Sequence, residues 1–190
     1  MALLGLLFRR AKLTQDSGAA GYHRRVPPAE RFRPSVTVAA VIERDGRYLL
    51  VEEQTPEGLR LNNPAGHLEP GESPQQGVVR EALEETARHF APQALVGVYL
   101  ARLHRASTGE DVTYLRFAFC GSVGEPEPGR PLDHGIVRTL WLTPQEVEAS
   151  RERHRSPLVW QCVADHQAGR RHPLQLLSID ASVYAPPPSP

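Results

Sequence analysis

A chain of 190 residues is long enough for one domain with a sizeable core and short for two. Its 22 Lys and Arg balance 22 Asp and Glu, which argues against a nucleic-acid or membrane-surface binder and makes any strong field local. Cys120 and Cys162 lack Cys-x-x-Cys spacing and Cys/His clustering, which argues against a disulfide framework or a zinc site and suits two buried thiols in a reducing cytoplasm.

Residues 1–8 (MALLGLLF) are apolar but too short to span a membrane, and Arg9 and Arg10 follow them instead of preceding them as in a secretory signal. With the Gly, Ala, Pro and Arg that follow, residues 1–33 are expected to form a flexible leader. Residues 35–42 (SVTVAAVI) and 47–53 (RYLLVEE) are strand-like, and Asp45-Gly46 between them signals a hairpin. Pro64, Gly66, Pro70 and Gly71 then punctuate a loop. Ser73 is an N-cap, Pro74 suits a first helical position, and Gln76 completes a capping box, so a helix is predicted from Pro74 to about His89.

Further strands are expected at 94–103, 112–123 and 135–142. Thr143-Pro144 and Ser156-Pro157 each read as a helix start, and the last helix should end near Gly169. Residues 181–190 are a Pro-rich tail. The order predicts an α+β domain over 34–180, an αβα sandwich with a mixed β-sheet between helices.

On the first helix, Glu81, Glu84 and Glu85 share a face beside Arg80. Glu81 and Glu85 repel at i,i+4, so something cationic should sit there. Carboxylates at this density suit a hard divalent ion, with Mg²⁺ the usual choice beside phosphate oxygens, and Glu69 and Glu72 are close enough in sequence to reach the same spot. The plain alternative is a solvated face with a surface pair between Glu84 and Arg88.

The spacing Gly66, five residues, Glu72, seven residues, Arg80-Glu81, two residues, Glu84-Glu85 resembles the Nudix box, G-x5-E-x7-R-E-U-x-E-E-x-G-U with U bulky and apolar. The departures are Ala82 at a U position, Ala87 for the glycine and Arg88 for the last apolar residue. Since Ala takes the left-handed turn only at a cost, the helix is expected to continue through His89. The resemblance implies hydrolysis of a nucleoside diphosphate linked to another moiety. It implies Glu81, Glu84 and Glu85 as metal ligands, catalytic roles for Glu81, Arg80 and Glu72, and Mg²⁺ as cofactor with Mn²⁺ as its substitute. It leaves open whether Glu81, Glu72 or a loop acid is the general base.

Outside the box, "RPSVTVAAVIERDGRYLLVEE", "NNPAGHLEPGES", "YLRFAF", "RSPLV" and "GRRHPL" resemble the NudJ-type phosphatases, a branch of that family. This implies action on nucleoside di- and triphosphates and on thiamin-pathway pyrophosphates, hydroxymethylpyrimidine pyrophosphate and thiamin pyrophosphate among them. A cytoplasmic monomer is expected. Leu59, Leu61 and the loop 124–133 depart from that branch.

By alternation Phe117 and Phe119 face the core while Tyr114 and Arg116 face the other way, available to a base or phosphate, as is His67. His104, His154, His166 and His172 have no metal-ligand spacing. Arg155, Arg170 and Arg171 form a basic cluster in sequence, read as helix capping ahead of phosphate docking. No nucleophile elbow, reactive-Cys signature or Walker-type loop is present, leaving attack by water.

Overall fold

The computed structural model describes residues 32–105 and 109–186, and the expected leader lies, up to residue 31, outside them. Seven strands and three α-helices occur among these residues: β1 (Ser35–Arg44), β2 (Arg47–Thr55), β3 (Gly58–Asn62), β4 (Ala65–His67), α1 (Pro74–Thr86), β5 (Phe90–Arg105), β6 (Glu110–Val123), β7 (Ile136–Leu142), α2 (Pro144–Ala149) and α3 (Leu158–Gln167). Strand β1 is central. It runs parallel to β6 and antiparallel to β4, and β5 pairs with the far side of β6. Strand β2 carries β3 and β7 on its two edges, both antiparallel.

The β1–β2 turn forms as expected. Asp45 and Gly46 both have positive φ, 51° and 75°, the geometry that a tight two-residue hairpin turn demands. Strand β1 is a continuous apolar run because both of its faces are covered. Val38, Ala40 and Ile42 pack with Phe119, Val78 and Ala82, the last two from α1. Ala39 and Val41 point the other way, into a cluster with Val147, Val159, Cys162 and Val163 from α2 and α3. Mixed sheet and flanking helices thus match the α+β expectation, with Phe119 and the partly buried Phe117 on the α1 side.

Two strands escaped the sequence reading. Strand β4 lies inside the stretch taken for a loop, and three residues are too few to display a period of two. Strand β3 is short and alternates poorly. Ser73 and Gln76 make the predicted reciprocal cap, with Gln76 N donating to Ser73 Oγ at 3.2 Å and Ser73 N to Gln76 Oε1 at 2.8 Å. Thr143 caps α2 in the same way. Ser156 does not cap α3: Pro157 takes the N-cap position, and Ser156 Oγ is buried without a partner among the described residues.

The extension of α1 to His89 is overturned. The helix ends at Thr86, and Ala87 adopts φ 55°, ψ 25°, its N–H donating to the Leu83 carbonyl at 2.9 Å. Ala87 is buried, so packing holds it in a conformation that costs an L-residue about 1–2 kcal/mol. Arg88 consequently leaves the helix axis and places Nη1 on the Gly124 carbonyl at 2.8 Å, making no pair with Glu84.

Replacing Ala87 by Gly relieves that strain but removes a buried methyl worth about 0.8 kcal/mol and frees the unfolded chain by about 0.4–1 kcal/mol. Ala87→Gly is therefore expected to stay within about 0.5 kcal/mol of wild type in denaturant unfolding. Ala87→Val, β-branched at positive φ, should lose about 2 kcal/mol or more in the same experiment. A second expectation concerns acid stability. Tyr48 Oη meets His166 Nδ1 at 2.7 Å while Arg171 donates to Nε2, so Nδ1 carries the proton of a neutral ring. Burial, then the Arg171 charge, lower the His166 pKa from 6.5 to about 4. The folded state resists a proton that the unfolded state accepts, so this contribution is intact above pH 6.5 and is lost as pH falls toward 4. Thermal melts of His166→Gln should show a shallower loss of stability across that window.

Candidate functional site

The acidic face of α1 is organised around one guanidinium. Arg80 donates Nε and Nη2 to the two oxygens of Glu72 at 3.1 and 2.7 Å, and Nη1 to Glu81 at 2.7 Å and Glu84 at 3.1 Å. Its Nη2 also reaches the His67 carbonyl at 3.0 Å, which ties the end of β4 to the helix. Burial pushes the Glu72 carboxyl up, but the two bonds from Arg80 and the Glu69 N–H outweigh it and hold the pKa below its ordinary value. These carboxylates, with the loop before α1, are gathered where the spacing placed them.

Glu81 and Glu85 are different, being only 8% and 7% exposed. Gly66 explains how Glu81 fits. A Cβ at residue 66 would run into the Glu81 carboxylate, so the motif glycine serves close approach of strand to helix. Glu85 Oε2 accepts from the Ala65 N–H at 2.8 Å. Burial raises the Glu81 pKa against the opposing Arg80, with Glu84 and Asp133 adding to the rise. Burial also lifts Glu85 to about 9; the Ala65 N–H opposes this, and the charges of Glu81, Glu53 and Asp133 reinforce it.

No three His, Cys, Asp or Glu side chains among the described residues converge as a ready-made metal-ligand set. Glu81 and Glu84 turn oxygens toward Arg80 in this arrangement, while Glu85 has only a backbone donor. A buried carboxylate with acidic neighbours and no cationic partner is the donor chemistry that suits a hard cation, so the residues fit one.

Two acids of this neighbourhood were missed in the sequence. Glu53 stands next to Glu52 in β2, and strand alternation sends them apart: Glu52 is buried against Arg138 and Arg153, whereas Glu53 faces the site and pairs with Arg155. That alternation was a usable signal. Asp133 gave none, since it comes from an aperiodic loop and is fixed by its N–H to the Glu84 carbonyl at 2.9 Å.

Beyond β4 lies a cleft of about 280 Å³. Ala65, Gly66 and His67 form one wall, and Tyr114, Arg116, Glu53, Asn62, Arg155 and Ser156 contribute the polar lining. Arg116 is 7% exposed at this site, and the His67 and Tyr114 ring centroids lie 6.3 Å apart. All three substrate-binding candidates from the sequence thus meet here. The expected basic cluster disperses: Arg155 goes to Glu53 in the cleft, Arg170 to Asp165 and Arg171 to His166.

The NUDIX domain model matches residues 31–161. Phosphatase NudJ of Escherichia coli K12 is 35% identical over 147 residues, covering 77% of this chain and 92% of the phosphatase. A solved NUDIX hydrolase from Nitrosomonas europaea shares 52% identity with a TM-score of 0.71, over 78% of this chain and 98% of that one. The MutT NUDIX hydrolase of Burkholderia pseudomallei, at 21% identity and a TM-score of 0.54 over 70% of this chain and 98% of its own, shares the fold. Family model, phosphatase relatives and solved structures agree with the glycine, arginine and glutamates around α1: the chain belongs to the NUDIX family of hydrolases.

Proposed function

We propose that the protein is a Mg²⁺-dependent phosphatase that cleaves phosphoanhydride bonds of nucleoside di- and triphosphates and of thiamin-pathway pyrophosphates by attack of water, releasing phosphate. The observation that carries this reading is the buried Glu85 carboxylate, short of a cation, backed by Glu81, Glu53 and Asp133, and bonded to Ala65 on the wall of a cleft that contains two arginines. The likeness to phosphatase NudJ supports the substrate class.

Glu81, Glu84 and Glu85 would hold the cation, with Mn²⁺ as a substitute. Bound there, it would supply neutralisation of phosphate oxygens and an acidified water. Arg80 keeps Glu72, Glu81 and Glu84 oriented, which spares the site reorganisation when charge develops. Of the candidate bases, Glu72 is tied at both oxygens to Arg80, whereas Glu81 gives it one oxygen, and we assign Glu81 the proton taken from the attacking water. No helix among the described residues is long and apolar enough to cross a membrane. The same reading has the enzyme act on small molecules as a cytoplasmic monomer.

The test is phosphate and pyrophosphate release, with and without Mg²⁺, from hydroxymethylpyrimidine pyrophosphate, thiamin pyrophosphate, nucleoside di- and triphosphates and ADP-ribose. Cation-dependent phosphate release from the pyrimidine and thiamin compounds is expected. Preference for ADP-ribose would overturn the substrate class and retain the reaction, and nucleotide binding without turnover would mean a silent binding module. Glu85→Gln should lower turnover by orders of magnitude. Because Glu85 is buried, not the surface group that its sequence suggests, and a Gln oxygen can still accept from Ala65, this variant should unfold at no lower temperature than cation-free wild type. Gly66→Ala, which must displace the Glu81 carboxylate, should cut kcat at least about tenfold while the circular dichroism spectrum is retained.

A further inference from the structure

Ser156 and Pro157 read as a helix start, yet the helix that follows has no side-chain cap. The ten-residue α3 has Pro157 at its N-cap position and no side chain bonded to its first-turn N–H groups. Val159 and Gln161 N–H close on the Ser156 and Pro157 carbonyls, each at 3.2 Å, the long end of the usual range. Ser156 itself is 7% exposed, and its Oγ has no hydrogen-bond partner among the described residues. A helix start favours an anion through its free N–H groups and its dipole, and a buried hydroxyl without a partner is costly. The two features together point to an acceptor supplied from outside the chain.

They border a cavity of about 470 Å³ beside α3. Arg151, His154, Arg155, Ser156, Trp160 and Leu103 contribute to its lining, and no described residue lining it is a carboxylate. Arg151 gives Nη2 to Glu148 at 2.8 Å and Arg155 gives Nη1 to Glu53, so each guanidinium keeps further N–H donors for a second acceptor. Arg151 also lies over the Trp160 ring, 5.0 Å from its centroid, which holds the charge beside the cavity. Leu103, Arg155 and Ser156 form a wall shared with the cleft described above. On the cleft side of that wall stands the Glu53 carboxyl, whose Oε1 is buried and unpartnered, whereas the cavity side has only donors and cations. An anion therefore belongs on the cavity side.

The shape of the donor set restricts that anion. A helix start, a hydroxyl and two guanidinium groups approach from different elements, which suits a tetrahedral phosphate better than a planar carboxylate. The cavity is within the range of roughly 300–1,000 Å³ usual for organic ligands, more than a bare phosphate fills, and Leu103 and Trp160 give it apolar wall. We propose that this cavity is a second anion site, for a phosphate monoester. Its phosphate accepts from Ser156 Oγ, from the first turn of α3 and from Arg151 and Arg155, while its organic group lies against Leu103 and Trp160. No residue of the acidic helix lines the cavity, so the site does not rest on the hydrolytic reading.

Binding in EDTA, where no divalent cation offsets the acidic helix, tests this with three probes that lack a phosphoanhydride bond: inorganic phosphate, phenyl phosphate and phenol. Calorimetry should give phenyl phosphate an affinity at least about threefold above phosphate and about tenfold above phenol, with a change in tryptophan fluorescence. Arg151→Gln should weaken phenyl phosphate about tenfold and Ser156→Ala about threefold, with thermal midpoints retained, and Trp160→Phe should remove the fluorescence change. No binding of phenyl phosphate, or phenol binding as tightly, would overturn the anion site. Equal affinity for phosphate and phenyl phosphate would overturn the organic group. Full affinity in both the Arg151→Gln and Ser156→Ala variants would overturn the placement, and so would an Arg116→Met variant weakened as much as Arg151→Gln, which would put the anion in the cleft. Binding that persists in a protein unable to cleave any pyrophosphate would instead sink the proposed function and leave this site standing.

Discussion

Burial of Glu81 and Glu85 between α1 and β4 is the constraint on which the rest of the site depends. A carboxylate taken out of water must find hydrogen bonds or a counter-charge. Glu81 finds Arg80, while Glu85 finds one backbone N–H and three acidic neighbours. Room for the Glu81 carboxylate against the strand is why residue 66 has no side chain. The imbalance at Glu85 makes the bottom of the site receptive to a positive charge from outside the protein.

The sheet makes this affordable by being rigid on both sides. Alternation along β1 sends Val38 and Ala40 under α1 and Ala39 and Val41 under α2 and α3, so the strand that pairs with β4 is fixed from two directions. Strand β6, parallel to β1, then presents Arg116 to the cleft while Phe119 fills the opposite core. One period-two pattern thus serves stability with half of its residues and recognition with the other half.

Several elements were legible because their signals are local. The Asp45-Gly46 turn, the Ser73 and Thr143 caps and the start of α1 depend on dihedral preferences and on bonds spanning three residues. The left-handed Ala87 was not legible, because its local cost is overridden by burial. Nor was the idle hydroxyl of Ser156, whose residue type favours a cap that the backbone does not form. Strand β4 was invisible for want of length, although it supplies both the Ala65 donor and the glycine that admits Glu81.

The sequence by itself determined the acidic helix and its arginine, since spacings of three and four residues on a helix fix a common face whatever lies around it. It likewise determined that Tyr114 and Arg116 share a strand face. Only the tertiary structure decided which glutamates are desolvated, that Asp133 and Glu53 join them, and that Asn62, Ser156 and Arg116 close one cleft from β3, the approach to α3 and β6. These depend on contacts between residues tens of positions apart, where burial and through-space charge act, and no local period records them.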